Sequence, residues 1–403
     1  MTTQLMQEVD EYKESELGLL PKDWRVVKLE EIADILDKKR VPLSEDVRAK
    51  RQGIYPYCGA NGIIDSIDDY IFDGEFVLLA EDGGYWGAYE NSAYIMNGKF
   101  WVNNHAHIIK AIEGKTTNKY LMYFLVYTNL SPLIGGDPRG KLTQNIMKSI
   151  LVSLPPLPEQ KNIAYILSTI EQARDKTDTV INSLKELKKS LMKHLFTYGA
   201  VSLEDAEKVK LKETEIGMIP EGWKVKELKE IATLQRGKDL PKQEWKKGTV
   251  PIVGSSGKMG YHEEAVCKGP GVITGRSGSI GKVTYVEEDY WPHNTALYVK
   301  DFHDNDTKFV YYLIQTLDFE KYATGVSVPT LNRNFIHMAK KAVPSLSEQQ
   351  EIAFILSTID SSINCEENRK RALDELFKSM LHNLMSAKIR VKDLVIENVK
   401  TGN

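Results

Sequence analysis

Residues 155–170, PPLPEQKNIAYILSTI, and residues 344–359, PSLSEQQEIAFILSTI, decide the fold, because one chain contains nearly the same segment twice. Each segment begins with proline and continues into apolar residues spaced three and four apart, the period of one helix face. Internal repetition of this kind dictates the architecture before any single motif does. The sequence therefore predicts two related copies, each ending in a helix.

The repeat also marks the beginning of each copy. Residues 16–24, ELGLLPKDW, are matched by residues 215–223, EIGMIPEGW, whereas the interiors share only scattered glycine and aromatic positions. Constant flanks around divergent interiors are the pattern expected of one scaffold that carries two different recognition surfaces.

The segments after the proline clusters predict two long helices with a heptad seam. The first would be about 55 Å long at the rise of an α-helix. Neither helix can bury its apolar stripe alone, so we expect the two to pack on each other as a rigid spacer. The polar stretch 365–371 interrupts the second seam, and either the pair bends there or a partner covers it. The predicted seam residues are Ile163, Ile166, Ile170, Leu184, Leu187 and Leu191 in the first helix, and Ile352, Ile355, Ile359, Leu373, Leu376 and Met380 in the second.

Short apolar segments bounded by turn residues predict strands in each interior, and helical patterns at 118–130 and 307–319 interrupt them. The expected fold class is α+β, with two mixed α/β domains separated by the two long helices. The predicted boundaries are a first domain at 1–157, a spacer helix at 158–197, a linker at 198–212, a second domain at 213–345, a second spacer helix at 346–386 and a tail at 387–403.

Composition restricts the class of protein further. The formal net charge of −3 excludes nucleic-acid binding through bulk charge alone, although local basic faces remain possible. The longest apolar stretch, near residues 120–127, is far shorter than the ~20 residues that span a bilayer. We therefore expect a cytoplasmic protein without a membrane partner. Three scattered cysteines suggest neither a disulfide framework nor a zinc site.

Motifs for catalysis fail on their spacing. Residues 269–275 have a late third glycine and a proline where a dinucleotide loop needs freedom, and residues 275–283 lack the hydroxyl of a phosphate-binding loop. Residues 153–157, SLPPL, offer leucine where an adenine methyltransferase needs polar and aromatic side chains. Of His105 and His107, one is expected to be buried and the other exposed, and the pair is not predicted to bind one metal together. We predict no catalytic residue and no metal site.

Polar and basic residues on glycine-rich loops favour DNA binding, because backbone can approach the duplex there and side chains can reach base edges. Arg276 and Arg333 could each contact guanine through two hydrogen bonds, and Asn61 or Gln144 could do so with adenine. For any single residue a phosphate contact or a plain loop role is the alternative. The DNA-binding candidates are Lys38, Arg40, Arg51, Asn61, Tyr85, Arg139, Lys141, Gln144, Arg236, Lys238, Lys246, Lys247, Ser255, Ser256, Arg276, Ser277, Ser279, Ser327, Asn332 and Arg333.

The duplication, the proline-to-Glu-Gln start of each long helix and the Gly-x-x-Pro-x-x-Trp opening of each copy together resemble the specificity subunits of type I restriction-modification enzymes. The resemblance covers nearly the whole chain. It implies two target recognition domains, each reading one half of a gapped site in double-stranded DNA, and an antiparallel coiled coil that sets the gap. It also implies that Glu159, Gln160, Glu348 and Gln349 belong to the helix seam or partner surface.

The same resemblance implies two modification subunits docked on the helices, with restriction and translocase subunits joining them. S-adenosylmethionine, ATP and Mg²⁺ would be bound by those partners, and this chain would hold no cofactor. Two alternatives stay open. A single-chain DNA methyltransferase would need a cofactor motif that the chain lacks, and a structural coiled-coil adaptor would leave the divergent polar loops unexplained.

Overall fold

A computed structural model describes residues 11–136, 140–324 and 329–394. The chain forms two compact units, the first made of residues 1–177 and 369–403 and the second of residues 178–368. Each unit therefore combines one copy of the α/β domain with parts of both long helices.

The two long helices are Leu157–Tyr198, with 42 residues, and Leu346–Met385, with 40 residues. The first directly follows Pro156, and the second begins two residues after Pro344. Proline cannot donate a backbone hydrogen bond and so suits the start of a helix. At ~1.5 Å per residue each is about 60 Å long. Charged residues interrupt both apolar stripes, and no helix in the described part of the chain has the length and apolar character needed to cross a membrane.

In the second unit the two long helices run antiparallel, because Lys185 pairs with Glu367 at 2.8 Å and the later residue Lys188 pairs with the earlier residue Asp360 at 2.7 Å. In the first unit the ion pair Arg174–Asp374, at 3.4 Å, joins the two helices.

The seam differs in part from the heptad prediction. Leu187 and Leu376, predicted as seam residues, are 45% and 46% exposed, so these two assignments were wrong. Leu167 is instead fully buried in the first unit, in a core that includes strand and helix residues of the α/β domain. The helices are thus covered by the α/β domains as well as by each other. A heptad prediction that considers only the other helix therefore misplaces the buried face of each helix. Further buried seam positions are Ile181, Ile363 and Leu381.

The first unit contains two four-stranded sheets. In hydrogen-bonded order one is Gly62–Ile67, Gln52–Gly59, Lys99–Val102 and Phe72–Asp73, and the other is Ala33–Ile35, Ala106–Ala111, Phe76–Ala80 and Ala93–Met96. Two-stranded pairs join Tyr12–Lys13 to Leu20–Pro21 and Arg25–Lys28 to Leu151–Leu154. The shorter helices are Leu29–Ile32, Glu45–Ala49, Asn118–Tyr127 and Gln144–Lys148, with 3-10 turns at Asp37–Lys39 and Ser131–Leu133.

The second unit repeats this plan. One sheet has the order Thr233–Arg236, Ala296–Asp301, Gly271–Gly275 and Val283–Val286, and the other has Gly257–His262, Val250–Gly254 and Trp291–Pro292. Two-stranded pairs join Leu211–Thr214 to Gly217–Pro220, Lys224–Glu227 to Lys340–Val343 and Ala323–Thr324 to Thr330–Leu331. The shorter helices are Leu228–Ile231, Thr307–Gln315 and Arg333–Ile336, with 3-10 turns at Ala206–Lys208, Lys242–Glu244 and Phe319–Tyr322.

One helix packs on the corresponding four-stranded sheet in each unit. The helix Asn118–Tyr127 begins at Thr117, whose hydroxyl accepts from a backbone N–H at 3.2 Å, and the helix Thr307–Gln315 begins at Asp306, which accepts one at 2.8 Å. Such caps satisfy donors that a helix start leaves unpaired. Both helices bury aromatic and aliphatic side chains against their sheet and so fix the position of its loops.

Candidate nucleic-acid interface

Three arginines of the second unit line one pocket of about 420 Å³. Arg236 ends the strand Thr233–Arg236, Arg276 directly follows the strand Gly271–Gly275, and Arg333 begins a short helix. The sheet and the loop after it thus bring together three residues that are widely separated in sequence. All three were predicted as DNA-binding candidates.

The backbone around these arginines is fixed by hydrogen bonds. The Arg276 N–H donates to the carbonyl oxygen of Thr295 at 2.9 Å, and the Arg276 carbonyl accepts from the Leu331 N–H at 2.7 Å. The side chain of Asn332 caps the helix that Arg333 begins, accepting a backbone N–H at 3.0 Å. The side chains therefore extend from defined positions, which reduces the entropy that binding must overcome.

The pocket has a positive charge from its three arginines. Among the described residues, none of the three guanidinium groups forms an ion pair. Burial, with the neighbouring charge of Arg236, lowers the pKa of Arg276 from its ordinary value. Such a site favours a ligand that brings negative charge or several hydrogen-bond acceptors.

The first unit has a different arrangement at the corresponding place. The carboxylate of Glu81 is buried and forms ion pairs with Arg40 and, at 2.7 Å, with Lys141. Burial alone would raise the pKa of Glu81, but the bonds from Lys141 and Arg40 hold it below its ordinary value. Arg40 and Lys141 were predicted as DNA-binding candidates; both form ion pairs with an internal carboxylate, and the side chain of Lys141 is 47% exposed.

A second buried carboxylate lies beside Glu81. Asp37 Oδ2 is 2.6 Å from His107 Nδ1 and accepts from Gln144 Nε2 at 2.9 Å. His107 Nε2 lies 2.7 Å from the carbonyl oxygen of Leu142. Both ring nitrogens of His107 thus face oxygen atoms inside the first unit. Burial opposes ionisation of Asp37, but the hydrogen bond and charge of His107 hold its pKa below the ordinary value.

The histidine prediction is confirmed in its burial pattern, since His107 is fully buried and the side chain of His105 is 50% exposed. Ligand atoms of Asp37, Glu81 and His107 lie within 4.8 Å of one another, a spacing that a metal ion could bridge. These atoms already bind protein donors and cations, so the arrangement favours an internal charge network. The absence of a metal site stays a prediction.

The remaining candidates fall into four groups. Arg51 pairs with Asp68 at 2.8 Å and Lys246 pairs with Glu263, while Asn61 donates to the Gly83 carbonyl at 3.0 Å. Exposed pairs contribute only about 0–1 kcal/mol, so DNA phosphates can compete for the two cations. The exposed candidates are Lys38, Tyr85, Lys238, Lys247, Ser256 and Ser279, the half-buried ones are Ser255 and Ser277, and Arg139 and Ser327 lie outside the described residues.

The glutamate at the start of each long helix binds a tryptophan of the same unit. Trp24 Nε1 donates to Glu159 Oε2 at 3.1 Å, and Trp223 Nε1 donates to Glu348 Oε2 at 3.1 Å. Glu159 also pairs with Arg390 at 2.8 Å and is 1% exposed. These bonds explain why tryptophan and glutamate recur in both copies, and they are internal contacts of each unit.

The glutamines that follow are buried as well. Gln160 Nε2 donates to the Pro155 carbonyl at 2.9 Å, and Gln349 Nε2 donates to the Pro344 carbonyl at 3.1 Å. Their exposed fractions are 1% and 3%. Of the two predicted roles, helix seam or partner surface, the burial of Gln160, Gln349 and Glu159 favours the seam, because their polar atoms are used inside the units.

Sequence reasoning missed Asp37 and Glu81 and did not connect His107 with them. Isolated acidic residues in the first copy have no motif that distinguishes them from solvated surface charges. An alignment of the two copies, strand by strand, would have revealed these positions. Such an alignment requires the sheet register, which the sequence alone does not contain.

The fold and these sites define a duplicated binding protein, with two α/β domains on a pair of antiparallel helices and a polar cluster at the same place in each domain. The chain belongs to the family described as the type I restriction modification DNA specificity domain, which matches residues 21–186 and 220–375.

The similarity to individual relatives extends over most of the chain. A type I restriction enzyme specificity subunit of Methanocaldococcus jannaschii is 26% identical over 427 residues, covering 96% of this chain and 97% of the relative. A Haemophilus influenzae protein named as a specificity subunit of the same enzyme type is 27% identical, covering 88% and 94%. The crystal structure of an S subunit from M. genitalium superposes with a TM-score of 0.68 at 16% identity, covering 90% and 96%, which confirms the fold.

Proposed function

We propose that this chain is the DNA sequence-specificity subunit of a type I restriction-modification complex, and that each unit contacts one half of a gapped DNA site. The observation that carries the proposal is the same four-stranded sheet order in both units, with different side chains at equivalent loop positions. A protein that reads two different half-sites needs one scaffold and two surfaces.

The test is sequencing of methylated adenines in cells that carry the complex. Replacing residues 211–344 with the matching segment of a relative should change one half of the methylated site, because recognition energies at separate sites are nearly additive. A change in both halves would contradict the assignment of one half-site to each unit.

We further propose that two copies of a modification subunit dock on repeated surfaces of the chain. Tyr165 and Phe354 occupy equivalent positions of the two long helices and are 41% and 71% exposed. Large aromatic side chains exposed at the same place in both copies suit one partner bound twice, since aromatic residues are enriched at interface centres. Light scattering of the purified complex should give two modification subunits per chain, with restriction subunits adding to that assembly.

Catalysis and cofactors are proposed to belong to the partners. No segment of the sequence has the spacing of a phosphate-binding or methyltransferase motif, and S-adenosylmethionine, ATP and Mg²⁺ would bind the modification and restriction subunits. Calorimetric titration with S-adenosylmethionine should give no heat of binding with this chain alone and a clear signal once the modification subunit is present. Binding to the chain alone would favour a single-chain methyltransferase instead.

A further inference from the structure

The two units have opposite charges at two equivalent positions. Ala80 pairs with Ala106 in the first unit as Gly275 pairs with Ala296 in the second, so the next residues, Glu81 and Arg276, correspond. The hydrogen bond to each carbonyl confirms this, since Glu81 accepts one at 2.8 Å and Arg276 accepts one at 2.7 Å from the leucine of the following loop.

The same register relates two further pairs. Ile35 pairs with Ile109 as Leu234 pairs with Val299, so two residues later Asp37 corresponds to Arg236. The leucines that donate to Glu81 and Arg276 are each followed, two residues on, by Gln144 and Arg333. Two carboxylates and an amide in the first unit are thus three arginines in the second.

This exchange separates two kinds of DNA contact. Phosphates are chemically the same in every half-site, so a contact that only positions a domain on the backbone should have the same charge in both units. Positions that are acidic in one unit and basic in the other cannot serve that common role. They suit the part of the ligand that differs between half-sites, which is the base.

We propose that Arg236, Arg276 and Arg333 read guanine in the half-site of the second unit, a proposal that rests on the function assigned above. Guanine presents two acceptors, O6 and N7, in the major groove, and a guanidinium group can donate to both. The pocket has converging donors, a fixed backbone and no described counter-ion, which are the features that such a contact needs. In the first unit the equivalent carboxylates are acceptors and are already bound, so that unit would not read guanine there.

The first test needs no protein variant. The full chain, co-purified with its modification subunit, is titrated with its methylated target duplex, in which guanines of one half-site are replaced one at a time by 7-deazaguanine. This base lacks the N7 acceptor but leaves the phosphates unchanged. At least one replacement in the half-site of the second unit should weaken binding by about fivefold or more. Full affinity for every replacement would overturn the proposal.

The second test uses Arg276→Ala and Arg276→Lys, with Lys300→Ala as a control at an exposed lysine of the same sheet outside the pocket. Arg276→Ala should reduce discrimination at one base pair of one half-site by about 5- to 150-fold. Arg276→Lys should lose most of that discrimination yet keep the salt dependence of binding, because lysine retains the charge without the two-pronged donor geometry. The control should change neither.

The outcomes separate the possible ligands. Equal loss across all base variants, with a salt slope smaller by about one, would assign Arg276 to a phosphate and overturn guanine reading. Unchanged affinity and preference would remove the pocket from the interface. A thermal unfolding midpoint equal to that of the wild type shows that a variant is folded. If a variant does not fold, the experiment with 7-deazaguanine still tests the proposal, because it uses the wild-type protein. If the wild-type complex prefers no gapped site at all, the proposed function itself fails.

Discussion

Removal of the Glu159 carboxylate should destabilise the first unit selectively. Glu159 accepts hydrogen bonds from Trp24 at 3.1 Å and from Arg390 Nε and Nη2 at 2.8 Å each, and it is 1% exposed. The hydrogen bond to Glu159 raises the pKa of Arg390 further above its ordinary value. Glu159→Ala would leave an indole donor and a largely buried guanidinium group without this acceptor.

The size of the effect follows from these contacts. Removing one partner of a buried ion pair costs about 3–5 kcal/mol. Arg390 keeps a second carboxylate, Asp23, at 2.7 Å, so the lower end of that range is expected. Glu348→Ala is the matched change in the second unit. Glu348 is half-buried, accepts the Trp223 bond and has no ion pair in the described part of the chain, so about 1 kcal/mol should be lost there.

Hydrogen exchange measured by mass spectrometry resolves the two units, because peptides from the strands Phe76–Ala80 and Gly271–Gly275 report on them separately. Glu159→Ala should accelerate exchange in the first strand by about 150-fold, which corresponds to about 3 kcal/mol, and leave the second strand nearly unchanged. Glu348→Ala should instead accelerate exchange in the strand of the second unit, and by a smaller factor. Equal acceleration of both strands by Glu159→Ala, or less than about fivefold in the first, would refute the reasoning.

Three further predictions concern the seam, the charge network and the docking surface. Leu167→Ala should cost about 2–5 kcal/mol and Leu187→Ala within about 0.5 kcal/mol, as measured by denaturant unfolding, because only Leu167 is buried. Asp37 and Glu81 have lowered pKa values in the fold, so their stabilisation is present above about pH 4.5 and is lost as the pH falls toward the folded values; Asp37→Asn should flatten this acid dependence of first-unit hydrogen exchange. Tyr165→Asp and Phe354→Asp should each remove one modification subunit in light scattering while leaving the unfolding midpoint of the isolated chain unchanged, and retention of both subunits would exclude this surface.

The fold was predictable because its signals are local and repeated. Prediction of the first long helix required only its heptad pattern and the proline before it, and the second copy repeats that pattern. Leu187 and Leu376 were misplaced because burial there depends on which domain covers the helix, and periodicity does not contain that information. Arg236, Arg276 and Arg333 could be nominated from their loops, but their convergence depends on strand register. The ion pairs of Arg40 and Lys141 could not be predicted, because their shared carboxylate partner, Glu81, is distant from both in sequence.

The same comparison explains why a net charge of −3 is compatible with DNA binding. In the first unit the buried carboxylates Asp37 and Glu81 bind the cations around them, so part of the basic charge stabilises the fold. The second unit places arginines at those positions and leaves them without a described counter-ion. The formal net charge counts the paired cations of the first unit and the three arginines of the second unit alike, although only the arginines lack a described carboxylate partner. The charge available to DNA must therefore be judged at equivalent positions of the two units. Because the two units share one scaffold, a difference in side chains at such a position changes what each unit recognises.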